Sequence, residues 1–127
     1  MKKLWILLLL IPVIVSCSVN KEKDGVRVGR WRYQTKKDRA EGALIKGRYD
    51  KRGNEKGIWL YYDGHKRVRK EVYHKDYCIN YIFYENGNIS EFGLSKQRTD
   101  DKIIVWDKKG KWFLFDEQGV LIDIISY

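Results

Sequence analysis

The chain has few of the residues that build catalytic or covalent sites. Among 127 residues there are only two cysteines, Cys17 and Cys78, and two histidines, His65 and His74. It has no Gly-x-Ser-x-Gly elbow, no His-Glu-x-x-His pair, no Cys-x-x-Cys pair and no phosphate-cradling glycine loop. These absences predict a protein that is not an enzyme and that holds no metal or other cofactor.

His74 and Cys78 are the one pair that resembles a nucleophile and its base. On a β-strand, four residues span ~13 Å, which is too far for a proton transfer. A thiol flanked by Tyr77 and Ile79 is better interpreted as a small buried apolar residue. His65 lies beside a predicted turn, where we expect it to be exposed to solvent.

The only long apolar run stands at the start of the chain. Lys2 and Lys3 precede the run Leu4 to Val15, and Ser16-Cys17 closes it. This is the layout of a secretory signal, and the run is too short to span a bilayer. The alternatives are an ordinary signal peptide and an interfacial helix.

The cysteine at the end of the run resembles a bacterial lipobox, which implies a lipoprotein signal peptide over residues 1–16 and a lipid on Cys17. The mature protein would then lie in the cell envelope, anchored by lipid outside the cytoplasm, with the outer membrane favoured over the inner. Residues 17–25 are polar and predict a flexible tether. Once Cys17 is lipidated, Cys78 has no partner for an intramolecular disulfide.

The net charge of the chain is positive. The whole chain has 26 lysines and arginines against 17 acidic residues, and loss of Lys2 and Lys3 leaves a net charge of +7. Such a domain can attract lipid headgroups, acidic glycans or acidic proteins, whereas an exported lipoprotein rarely meets nucleic acid. A basic face that is merely solvated is the alternative.

Residues 26–127 predict one all-β domain, an antiparallel meander that follows the N-terminal signal helix. Short runs rich in aromatic and β-branched residues alternate with turns that end in glycine. The predicted turns are 50–53, 63–64, 85–87, 107–110 and 116–119. In the four-residue turns the leading aspartate is expected to cap the following amides, and the glycine to take a positive φ.

An internal repeat follows from aligning the turns. The segment Gly57-Ile58-Trp59-Leu60-Tyr61-Tyr62-Asp63-Gly64 matches residues 80–87 in length and in the placement of its aromatic residues. Gly29-x-Trp31-x-Tyr33 repeats the opening, and Trp112 begins a looser copy. These motifs resemble MORN repeats, in particular the bacterial antitoxin-like MORN variants.

The resemblance implies a non-catalytic module that contacts proteins or membrane surfaces. We therefore expect a membrane-anchored lipoprotein that binds another protein, in a scaffold, immunity or antitoxin-like role. The alternative is binding to an anionic membrane surface or to an envelope polyanion through a basic face.

The candidate partner-binding residues are aromatic and basic side chains around the predicted turn at 63–64. They are Trp59, Tyr61, Tyr62, Phe83, Tyr84, Lys66, Arg67, Arg69 and Lys70. Alternation on a strand predicts Trp59 and Tyr61 on one face and Leu60 and Tyr62 on the other, so one of the two pairs belongs to the core. Trp59 is expected to be part of that core.

The C-terminal third is apolar on both strand faces, which requires something to cover the second face. A fold-over of the sheet, a partner chain and a lipid surface are the three possibilities. The run Val120–Ile125 is expected to pair with Lys111–Phe115 through the turn at 116–119. We expect burial of Trp112, Leu114, Leu121 and Ile124, and a positive φ at Gly119.

Overall fold

The computed structural model describes residues 18–36 and 41–127. The predicted signal peptide and Cys17, the predicted lipidation site, therefore lie outside the described residues. The described chain forms one sheet of nine strands whose spatial order is the order of the sequence, with every neighbouring pair antiparallel. The strands are β1 Lys21–Lys23, β2 Val26–Gln34, β3 Ala43–Tyr49, β4 Glu55–Asp63, β5 Lys66–Tyr73, β6 Tyr77–Phe83, β7 Ile89–Asp100, β8 Ile103–Phe115 and β9 Leu121–Ser126. The prediction of an all-β antiparallel meander is confirmed.

Three turns share one hydrogen-bond pattern. They connect β3 to β4, β6 to β7 and β8 to β9, and in each the glycine amide donates to the carbonyl three residues earlier. The φ angles of Gly53, Gly87 and Gly119 are 83°, 90° and 85°. Asp50 and Asp116 each accept two following amides on Oδ1. The expected roles of aspartate and glycine are therefore confirmed in the turns at 50–53 and 116–119.

The turn predicted at 107–110 is wrong, because β8 runs without a break through these residues. The register between β7 and β8 shifts between Phe92 and Leu94, which places a β-bulge opposite residues 109–113. Gly110 takes a φ of 67° inside the strand. The chain reverses instead at Asp101 and Lys102, whose φ angles are 43° and 71°. Two residues with positive φ form a tight hairpin turn, and neither residue is the glycine that usually signals one.

Part of the predicted tether is also a strand. Lys21–Lys23 forms β1 and pairs with the start of β2. Asp24 and Gly25 both have positive φ, at 53° and 75°, which is the geometry of a two-residue hairpin turn. Residues 21–25 of the flexible tether expected over residues 17–25 therefore belong to this hairpin.

Trp59 is the centre of the core and depends on a glycine of the preceding strand. Its side chain is 3% exposed, and a Cβ placed on Gly47 would overlap its ring. The indole N–H donates to the carbonyl of Arg48 at 3.2 Å. Gly57, two residues before the tryptophan, has a φ of 64°. The ring therefore fits only because position 47 has no side chain.

Trp112 repeats this arrangement between β7 and β8. It is 1% exposed, and its ring fills the space that a Cβ on Gly93 would need. Its indole N–H donates to the carbonyl of Leu94, the residue after that glycine, at 2.9 Å. Gly110, two residues before Trp112, has a φ of 67°. The two halves of the sheet thus share one packing unit, which we call the Gly-Trp unit.

The first prediction concerns the Gly-Trp unit. Trp59→Ala should lower the free energy of unfolding by about 3–5 kcal/mol, and Gly47→Ala in the wild-type chain by about 1–3 kcal/mol. Once Trp59 is already alanine, Gly47→Ala should cost less, because the ring that it would clash with is gone. Urea unfolding of the single and double variants measures this coupling.

Gly47→Ala combined with Trp112→Ala is the matched control, and the two costs should add, since these residues belong to different units. An equal cost of Gly47→Ala with and without the Trp59 ring would contradict the proposed packing.

Candidate functional site

The candidate residues lie on opposite faces of the sheet. Across β4 and β5, Trp59 opposes Glu71 and Tyr61 opposes Arg69. In alternate positions of the same strands, Leu60 opposes Lys70 and Tyr62 opposes Arg67. Directly opposed residues share a face, so we name the two sides the Trp59 face and the Leu60 face. The nine candidate residues therefore do not form a single surface.

On the Trp59 face, a buried carboxylate joins several of these side chains. Glu71 is 6% exposed, and its Oε2 accepts hydrogen bonds from the hydroxyls of Tyr61 and Tyr73 at 2.7 and 2.8 Å. Arg69 Nε lies 3.1 Å from Oε1 as an ion pair without hydrogen-bond alignment. Tyr61 and Arg69 thus have their polar atoms directed at Glu71 within the sheet.

The phenols of this network keep their protons to high pH. Burial raises the pKa of Tyr61 and of Tyr73 above the ordinary value, and the charge and hydrogen bond of Glu71 raise both further. A protonated phenol is required to donate to the carboxylate. The buried carboxylate of Glu71 is therefore held by two neutral phenol donors and by the ion pair with Arg69.

Cys78 lies next to this network and has the environment of a core residue. It is 2% exposed, and burial, aided by the charge of Glu71, raises the pKa of its thiol to about 12. A protonated, inaccessible thiol is a poor nucleophile. His74 stands in the turn after β5 and stacks on Tyr77 with ring centroids 4.3 Å apart.

On the Leu60 face, cations lie over aromatic rings of neighbouring strands. Lys46 lies 5.3 Å from the Tyr62 ring centroid, Arg67 lies 4.8 Å from that of Phe83, and Lys70 lies 5.2 Å from that of Tyr81. These distances permit cation–π attraction. Four of the nine candidate residues, Tyr62, Phe83, Arg67 and Lys70, are found here.

The remaining candidates have internal partners. Lys66 forms an ion pair with Glu85. The Tyr84 hydroxyl donates to the carbonyl of Phe115 at 2.7 Å, which ties the turn before β7 to the end of β8.

The Leu60 face changes character from one edge of the sheet to the other. A single row of opposed residues crosses eight strands of this face. It consists of Arg32, Lys46, Leu60, Lys70, Tyr81, Phe92, Phe113 and Ile124. Cations dominate the row from β2 to β5, and aromatic and aliphatic side chains form it from β6 to β9.

A groove of about 660 Å³ lies at the cationic end, and we call it the basic groove. Its lining includes Val19, Ile58 and Leu60 as an apolar floor. The lining cations are Arg30, Arg32, Lys46, Arg48 and Lys56, and no acidic side chain among the described residues lines the groove. The sequence does contain a signal for this cluster. Arg30 and Arg32 are two residues apart on β2, as are Lys46 and Arg48 on β3, so each pair shares a sheet face. The prediction instead followed the denser basic run Lys66–Lys70.

Two like-charged pairs stand directly opposite each other in the basic groove. Arg30 opposes Arg48, and Arg32 opposes Lys46. Like charges in opposed positions destabilise a sheet. An anionic ligand or surface would remove this repulsion.

The other edge of the sheet is apolar and exposed. All six residues of β9 are exposed. Leu121 and Ile124 are each 45% exposed, so the expectation that they are buried is wrong, whereas the burial of Trp112 is confirmed. Leu114 is half-buried. The predicted pairing of this strand with β8 and the positive φ of Gly119 are also confirmed. The burial prediction failed because strand contacts in the described chain are essentially those between sequence neighbours, so no strand covers β9.

One amide of this free edge is capped internally. Gly110 and Tyr127 exchange both backbone hydrogen bonds. Counting along the register, the amide of Ile124, which opposes Phe113, therefore points away from β8. That amide donates to Oδ1 of Asp123 at 2.8 Å. A charged side chain that occupies an edge amide opposes indiscriminate strand pairing.

Comparison with known proteins gives no relative, since no family model, no curated protein and no solved structure matches this chain. Within residues 18–36 and 41–127, no helix is long and apolar enough to cross a membrane. In the same part of the chain, no group of three or more His, Cys, Asp or Glu side chains is placed to hold a metal ion.

The second prediction concerns the tyrosine network. Unfolded tyrosine ionises near pH 10, whereas the raised pKa of Tyr73 keeps the native phenol protonated to higher pH. The native state then binds more protons than the unfolded state above pH 10, so the free energy of unfolding falls as pH rises. Tyr73→Phe should make this fall less steep.

Urea unfolding between pH 8 and about 11 tests this expectation. Tyr127→Phe is the matched control, because Tyr127 is 52% exposed, and it should keep the wild-type slope. An unchanged slope in Tyr73→Phe would contradict the assignment.

Proposed function

We propose that this chain is an exported lipoprotein, anchored to a membrane through Cys17, whose sheet of MORN-like repeats binds another protein without catalysing a reaction. A scaffold, immunity or antitoxin-like role fits such a module. The lipobox supports the anchor, and the lack of catalytic motifs supports a binding role.

The observation that carries the protein-binding proposal is the asymmetry of the two sheet edges. The β1 edge is three residues long, and all three are charged, which is a common protection of an edge strand. The β9 edge is twice as long and contains Leu121, Ile122, Ile124 and Ile125, all of them exposed. A strand of a partner can add to such an edge by backbone pairing.

The apolar end of the Leu60 face extends this surface. Ile124 continues the row of Phe92 and Phe113 to the edge. A partner that pairs with β9 would also cover this row. It would thereby bury the second apolar face that the sequence predicts for the C-terminal strands. It would have to displace the Asp123 side chain from the Ile124 amide, which favours a specific partner over any exposed strand.

A second candidate function is attachment to an anionic membrane surface through the basic groove. Five cations surround an apolar floor there, a combination suited to headgroups and the upper acyl region. Val19 belongs to this floor and is two residues from Cys17. A lipid on Cys17 would therefore hold the groove beside the bilayer.

The third prediction tests the β9 edge. A photo-reactive benzoylphenylalanine at position 122 should give a discrete crosslinked species in the native envelope, because Ile122 is 61% exposed on this edge. The same residue at position 23 on β1 is the matched control and should give none. Ile124→Lys should abolish the crosslink from position 122. Equal patterns from both edges would contradict docking on β9.

The fourth prediction separates the anchor from the basic groove. Cys17→Ala should lose its lipid and leave the membrane fraction, whereas the wild type should stay there at any salt concentration. If the groove also binds anionic lipid, Cys17→Ala should stay bound at low salt and be released by about 0.5 M NaCl, since salt screens exposed charges. Membrane fractionation that is unchanged in Cys17→Ala at high salt would refute the lipobox interpretation.

A further inference from the structure

A second groove, of about 800 Å³, lies on the Trp59 face. It shares only Arg48 and Lys56 with the basic groove. One wall is the turn from Asp50 to Asn54, and the other is the distal half of the β7–β8 hairpin, represented by Gln97, Ile104 and Trp106. The β5 residue Tyr73 lies between the walls. We call this the hairpin groove.

The turn side of the hairpin groove is basic. Arg48, Lys51, Arg52 and Lys56 line it, against two carboxylates, those of Asp50 and Glu55, and Lys75 adds a cation from the turn after β5. Oδ1 of Asp50 already accepts the amides of Arg52 and Asn54 at 2.8 and 3.0 Å. These bonds hold the turn that presents Lys51 and Arg52, whose side chains are exposed. The backbone that carries these two cations is therefore held in place by hydrogen bonds.

The hairpin side offers rings and amides. Trp106 packs edge-on against Tyr73 with ring centroids 5.2 Å apart and an interplanar angle of 76°. Gln97 stands directly opposite Trp106 across β7 and β8, and Asn54 adds a second amide from the turn. Aromatic rings supply flat apolar surface, and amides both donate and accept hydrogen bonds.

We infer that the hairpin groove binds an acidic saccharide, with a sugar ring against Trp106 and its carboxylate, sulfate or phosphate groups at Lys51 and Arg52. Rings, amides and cations match the apolar ring face, the hydroxyls and the acidic groups of such a ligand. This inference goes beyond the protein-binding and membrane-binding proposals, and the residues assigned to the ligand, Lys51, Arg52 and Trp106, belong neither to the β9 edge nor to the basic groove.

The sheet geometry favours a saccharide over an acidic peptide. The strands that line the groove, from β2 to β8, are all interior strands paired on both sides. Their backbone groups are used within the sheet, so they cannot pair with an extended peptide as an edge strand would. On these strands recognition has to come from side chains, as in the binding of a sugar polymer. A flat bilayer would not fill the concave space.

The fifth prediction is a titration of the full-length chain, kept in a neutral detergent, with defined probes. A heparin-derived hexasaccharide and an oligogalacturonate carry the acidic groups, and maltohexaose is the uncharged control. At least one acidic probe should bind saturably and change the intrinsic tryptophan fluorescence, whereas maltohexaose should bind at least about tenfold more weakly, which corresponds to about 1.4 kcal/mol.

Variants locate the site. Lys51→Glu combined with Arg52→Glu should weaken binding at least about tenfold. Lys21→Glu combined with Lys23→Glu makes the same change of charge on β1, outside both grooves, and should bind like wild type. Trp106→Phe keeps a ring and should bind within a few-fold of wild type while losing the fluorescence change. Melting curves establish that each variant is folded.

Three results would overturn the inference. The first is no saturable binding of either acidic probe by the folded wild-type chain. The second is an equal loss of affinity in the turn variant and in the β1 variant, which would indicate diffuse charge attraction. The third is binding of poly-glutamate as tightly as the acidic saccharides, which would assign the groove to acidic peptides.

Discussion

The packing of an indole ring on a glycine of the preceding strand is the contact on which the rest of the sheet depends. The described residues form a single sheet with no second layer to exclude water, so its buried area has to be made within one face. Trp59 and Trp112 do this by lying flat where Gly47 and Gly93 leave space, and each fixes its ring with an indole hydrogen bond to the next carbonyl. Bulges between the opposed strands supply the offset that the ring needs.

The space between the two Gly-Trp units is filled by polar residues instead of a third tryptophan. Glu71 opposes Trp59 on one side and Asn80 on the other, and Asn80 opposes Gly93. Asn80 donates to Ser95 Oγ at 2.9 Å, and two tyrosines donate to Glu71. A buried polar network of this kind is stable only when its members find partners. Between the two tryptophans, the buried side chains of β5 and β6 are therefore held by side-chain hydrogen bonds, whereas at β4 and β8 they are held by indole packing.

Residue pattern alone was enough to predict the meander, most of its strands and the glycine turns at 50–53, 85–87 and 116–119, because these depend on alternation and on local turn chemistry. It missed β1 and divided β8 in two. The division of Trp59 and Leu60 between two faces also follows from alternation. The sequence did not reveal the bulge at Gly110, since a run of Asp, Lys, Lys and Gly has the composition of a turn and only the pairing with β7 shows otherwise. The turn at Asp101 and Lys102 was missed because neither residue is the glycine that usually marks a positive φ.

The candidate surfaces were harder to predict than the fold. The basic groove is assembled from residues on three strands and from Val19, so its cations are dispersed in the sequence and meet only through the register. The hairpin groove depends on the length of β7 and β8, which the sequence breaks into shorter runs. Exposure of β9 could not be inferred from its own apolar residues, because burial is decided by whether another element covers them.

The meander has a consequence for the order in which the structure is made and lost. Because the strands contact mainly their sequence neighbours, each hairpin closes over a short loop, and little chain entropy is spent on distant pairings. The sheet can therefore zip from one hairpin to the next and open again from its ends. Strand β9 has a neighbour on one side only, and a partner strand at that edge would supply the second neighbour that every interior strand already has.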